Sequence, residues 1–95
     1  MAVLPDAPPP DAPNELKALW PLVLRWGVSD DFDRGVAIET ATDADLRALV
    51  AAVGPAGFAS INSYLDATGD AEHAVPYGDL AQAAMEAQFE LDRRA

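Results

Sequence analysis

Asp30, Asp31, Asp33 and Arg34 fall within five residues of one another, and closely spaced carboxylates are the first place to look for a cation. A calcium loop needs glycine at its sixth position and glutamate at its twelfth. Counted from Asp31, the glycine (Gly35) comes one position early and the twelfth place is Thr42. The cluster fits better as the acidic start of a helix, where the dipole favours negative charge, with Arg34 reaching back one turn to Asp30 or Asp31. His73, beside Glu72, is the only histidine, and there is no cysteine. Metal sites of the zinc type take several histidine or cysteine ligands, so neither a metal nor a cofactor is expected. As a general base, His73 would need an orienting partner and a pocket that the sequence does not name. Ser60 and Ser63 sit in a helical stretch without the strand-to-helix turn of a nucleophile elbow. Gly54-Pro55-Ala56-Gly57 lacks the lysine and the preceding strand of a phosphate loop. No catalytic residue is assigned, and an enzyme ranks below a binding protein.

Four side-chain groups could make contacts instead. Trp20 and Trp26 lie roughly 120° apart on a helical wheel, so they do not share one stacking face, and both are read first as core. Trp26, at the end of its helix and next to Asp30, Asp31 and Arg34, is the better candidate for partial exposure. Met85 and Phe89, one turn apart, fall on the side of the last helix away from its alanine face. They mark a partner groove or a homodimer seam, unless the N-terminal segment or the second helix covers them.

The elements that would position these residues are all helical. Leu16 to Trp26 is the densest apolar run, its large side chains filling an arc of roughly 200° with Lys17, Pro21 and Arg25 on the remainder. It reads as a central helix from an Asn14 cap to Gly27, kinked at the Lys17–Pro21 turn or broken just before Pro21. A second helix is expected over 30–40 behind a Ser29 cap, with Phe32 and Val36 on one face and Ile38 on another. Thr42 and Asp45 form a capping box for a third, with Leu46, Leu49, Val50 and Val53 on one side and Gly54 at its end. Pro55 opens a fourth, carrying Phe58, Ile61, Tyr64 and Leu65 to Gly69. Pro76 opens a fifth over about 77–93, on which Leu80, Ala84, Ala87 and Leu91 face the core, Tyr77 lies at the edge, and Arg93 and Arg94 suit the C-terminal dipole.

Of the 95 residues 51% are apolar, but 20 of those are alanine, so one modest core is expected. Sixteen acids against six bases give a net charge of −10, which argues against unaided binding to nucleic acid or to an anionic membrane. It suits solubility, a basic partner, or mimicry of a nucleic acid. Residues 1–13 hold five of the eight prolines and read as a flexible polyproline-like tail ahead of a single domain at 14–95. They lack the basic region and apolar core of a signal peptide, and no run approaches the ~18 apolar residues of a membrane span. A cytoplasmic location follows as an expectation.

At Trp20-Pro21-Leu22, Arg25-Trp26, Asp30-Asp31 and Arg34 the chain resembles a family of small all-helical bacterial proteins without an assigned role. The resemblance spans about residues 16–50; it implies an all-helical fold and a bacterial source and carries over no site. In size and acidity the chain is also similar to the small helical immunity proteins that neutralise nuclease toxins, although their motif is absent. The expected fold is all-α: an irregular bundle of about five helices around a proline-kinked central one. The expected function is a small acidic interaction module without catalysis, binding a protein partner or a second copy of itself. Alternatives are an acidic immunity-type inhibitor or nucleic-acid mimic binding a basic partner, and a small-molecule binder or enzyme with a pocket near Trp26. The candidate contact residues are Trp26, Asp30, Asp31, Arg34, Met85 and Phe89.

Overall fold

The computed structural model describes residues 4–95 and is all-α, with five helices in sequence: α1 Asn14–Lys17, α2 Trp20–Trp26, α3 Asp31–Thr40, α4 Asp43–Thr68 and α5 Val75–Arg94. Leu16 to Trp26 is not one proline-kinked helix. Pro21 has no N–H to give the Lys17 carbonyl, and the chain breaks ahead of it: Leu19 N–H bonds to Leu16 O at 3.0 Å, and α2 starts afresh with Pro21 in its first turn. Proline is well placed there, since a first-turn N–H has no partner within the helix. The cap at the start of α1 is Pro13, one residue before the expected Asn14, and no side chain bonds there. α2 ends at Gly27 in an inverse γ-turn, with φ −76°, ψ 54° and Val28 N–H donating to Trp26 O at 2.8 Å. A Cβ at Gly27 would stand 2.5 Å from the Val23 carbonyl oxygen, so close approach rather than a left-handed φ requires glycine.

Asp30, not Ser29, caps α3: its carboxylate accepts from Asp33 N–H at 2.9 Å. The inward face of α3 carries Arg34 and Ile38, while Phe32 and Val36 point to solvent. Thr42 caps α4 by accepting from Asp45 N–H at 3.1 Å. The two helices expected over 42–69 run on as α4, broken in geometry at Gly54 (φ 60°, ψ 176°), a backbone region that only glycine occupies without strain. The count of five is therefore reached differently: the first expected helix splits and the third and fourth join. Gly69, at φ 63°, ends α4 in a left-handed cap.

The most extensive packing is α4 against α5. Leu46, Leu49, Val53, Ile61 and Tyr64 of α4 are buried, as are Tyr77, Leu80, Ala83, Ala84 and Ala87 of α5. Tyr77 is not at an edge. It is fully buried, its ring centroid 5.5 Å from Trp20 and 5.6 Å from Tyr64, and its hydroxyl donates to Leu16 O at 2.9 Å. That bond helps satisfy a carbonyl that the break before Pro21 leaves without its helical donor. By length and composition alone α4 could cross a membrane, contrary to the expectation that no run comes near; in this fold its core face packs in the bundle.

The proline-rich segment, read as a separate tail, lies on the helical body. Pro9 and Ala12 are buried, Leu4 packs against the core, and Trp20 Nε1–H donates to Pro5 O at 3.0 Å. The first three residues of that segment lie outside the described residues.

Candidate interaction groove

The N-terminal prolines, the end of α2, the start of α3 and the start of α5 converge on one open groove of about 1730 Å³. This exceeds the ~300–1,000 Å³ usual for a small-molecule pocket. Its apolar surface comes from Leu4, the prolines, Trp20, Leu24, Val75 and Pro76, and its polar surface from Asp11, Asp30, Asp33, Glu72, His73 and Asp79. Leu24 and Val75, both lining it, are 46% and 42% exposed.

The chain folds this way locally for readable reasons. The γ-turn at Gly27 reverses the backbone at the end of α2, so that Leu24 and Val28 come to line the groove beside Asp30 and Asp33. Arg34 secures this corner from behind. Its guanidinium donates to Val28 O at 2.8 Å, to Glu86 Oε2 at 2.6 Å and to the Asp31 carboxylate. Burial works against its charge, but the partner carboxylates outweigh that and push its pKa above the ordinary arginine value. Across the groove, Asp79 is partly buried on α5, and burial raises its carboxyl above the usual aspartate range despite the nearby Arg34.

At the other end, the Asp11 carboxylate accepts from Tyr64 Oη at 2.7 Å and lies 3.2 Å from His73 Nε2. The Tyr64 bond, then His73, hold Asp11 below the usual range, while burial and the carboxylate push Tyr64 upward. Burial also pushes Tyr77 up to about 12. This trio pins the proline segment to α4 and to the loop before α5. Behind it lies a shallower hollow of about 440 Å³ that contains Ser60 and Ser63. Among the described residues neither serine bonds to Asp11 or His73, and no three potential metal ligands gather.

The expected contact residues separate. Asp30 lines the groove while capping α3. Asp31 is exposed and paired with Arg34, and does not line the groove. Arg34 is 6% exposed and Trp26 only 4%, and neither lines the groove. The expected partial exposure of Trp26 fails: α2 lies against α5, and the Arg25 guanidinium covers the ring at 4.7 Å. Met85 and Phe89 are 41% and 65% exposed and do not line the groove. Asp11, Leu24, Tyr64, Val75 and Asp79 were not singled out as contact residues. Only Leu24 and Tyr64 had a sequence signal, each as a member of an apolar helical face.

No family model, curated protein or solved structure matches the chain, and none bears on the family resemblance.

Proposed function

We propose that the chain is a small, acidic, non-catalytic protein–protein interaction module that docks a polypeptide segment of a partner in the groove. The observation that supports this most is an open cleft with an apolar floor, too large for a small-molecule cage, in which Leu24 and Val75 remain exposed. A small-molecule binder or enzyme with a pocket near Trp26 is the second reading: the indole itself is buried, but Gly27, Val28, Asp30 and Asp33, which follow it in sequence, line the same cleft. The competing form of the module reading is a homodimer through Met85 and Phe89.

A photo-activatable side chain at Val75 tests this in lysate of the source organism. The reading expects a discrete covalent adduct with a protein, lost when Leu24→Glu is added on the opposite wall. An adduct only from position 89, to a second copy of the chain, would favour the homodimer. The absence of a protein adduct from either position would overturn the module reading.

A further inference from the structure

Resting on that reading, we infer that the groove takes a basic amphipathic segment of the partner, its apolar side chains on Leu24, Val75 and Pro76 and its lysines or arginines against Asp33 and Asp79. The argument is charge complementarity. Five carboxylates line the groove and none of the chain's six lysines and arginines does. Outside the groove, every arginine in an ion pair is taken by an acid that does not line it: Asp31 and Glu86 with Arg34, Asp45 with Arg25, Asp43 with Arg94, and Glu90 with both Arg93 and Arg94, while Asp6, Glu15, Glu39, Asp66, Asp70 and Asp92 are scattered over the rest of the sequence without an ion pair among the described residues. Of the groove acids only Asp11 has a basic side chain beside it, His73 at 3.2 Å; among the described residues Asp30, Asp33, Glu72 and Asp79 line the cleft without an ion pair, Asp30 serving as the cap of α3.

Asp79 strengthens the case. It is partly covered by its own fold, it forms no ion pair among the described residues, and burial disfavours its charged form. A neutral side chain would suit the isolated fold better. A cation docked in the groove would relieve that penalty, and a site that is locally costly to stability is what binding function tends to preserve. An open groove lined by Leu24, Val75, Pro76 and the N-terminal prolines suits a segment with apolar residues on one side, as in helix-in-groove recognition.

The probe is a synthetic amphipathic helix of about four turns built from leucine and lysine, titrated by calorimetry and mapped by backbone amide shifts. Two control peptides replace all lysines by glutamate or all leucines by serine. Expected are saturable binding by the Leu/Lys peptide that weakens with salt, shifts at Leu24, Val28, Asp33, Val75 and Asp79, and clearly weaker binding by both controls. Asp33→Asn with Asp79→Asn should weaken binding about tenfold while leaving the protein folded with unchanged helix content. Asp66→Asn with Asp92→Asn, of the same net charge but away from the groove, should leave it within about twofold. Equal weakening by the two double variants would overturn the proposal in favour of net charge alone. So would shifts centred on Met85 and Phe89, or equal binding of the glutamate peptide. A protein adduct at Val75 without Leu/Lys binding would leave the module reading standing and remove the basic segment; failure of both tests would remove both.

Discussion

Arg34 carries a positive charge to 6% exposure and has all of its partners supplied by other parts of the chain: a carboxylate on α5, one in its own first turn, and the carbonyl that follows the γ-turn. Removing one member of such a group strands the others. Arg34→Ala is expected to cost about 2–3 kcal/mol by chemical denaturation. Arg34→Lys should rescue little, because a point-like ammonium cannot reproduce the fork. Glu90 is the corresponding acid near the C-terminus. Hydrogen bonds from Arg93 and then Arg94 outweigh its burial and hold its carboxyl at about 2. Its folded pKa lies below the ordinary glutamate value, so its contribution is complete above about pH 4.3 and is lost as pH falls toward the folded value. The unfolding midpoint should therefore fall through this window, and Glu90→Gln should flatten that acid limb while lowering stability at neutral pH. Helical spacing made Glu90 a neighbour of Arg93 and Arg94. It could not show that Arg94 also donates to Glu39 O, Ala41 O and Asp43, more than fifty positions away, since no periodicity encodes a contact between helices.

Helix identity was legible where apolar spacing and a cap agreed. Thr42 with Leu46, Leu49, Val50 and Val53 is the clearest instance: three of the four apolar residues are buried and Val50 is partly buried against the core. α3 shows the opposite case. Its inward side is chosen by Arg34 finding Glu86, and that leaves Phe32 77% exposed, an outcome that hydrophobicity on α3 alone cannot foresee. The groove was illegible for a related reason. Its walls come from the proline segment and three helices, so its existence depends on how the segment seats against Trp20 and Asp11, not on any one helix's pattern. The glycines separate two local effects. At Gly54 a Cβ would meet nothing within 4 Å, so the cost of Gly54→Ala is conformational, about 1–3 kcal/mol. Gly35 is also open but lies inside α3, so Gly35→Ala should stabilise by about 0.5–1 kcal/mol. Thermal unfolding of the two variants side by side checks the sign of each.

The whole molecule, 38 × 30 × 20 Å with a net charge of −10, carries exposed apolar side chains in the groove and, on another face of α5, Met85 and Phe89. Met85→Glu with Phe89→Glu should leave the midpoint within about 0.5 kcal/mol of wild type, because neither side chain is in the core. Sedimentation of wild type and variant at matched high concentration reads the dimer: equal monomeric values remove the homodimer form, and a wild-type dimer abolished in the variant supports it. The groove itself has a built-in reporter. Trp20 lies at its floor with the indole N–H on Pro5 O, whereas Trp26 is buried and does not line it. The most direct measurement is the pair of indole N–H resonances during titration with the Leu/Lys peptide. Docking in the groove predicts that the Trp20 signal moves in step with occupancy while the Trp26 signal stays in place; a moving Trp26 signal beside a fixed Trp20 signal would contradict it.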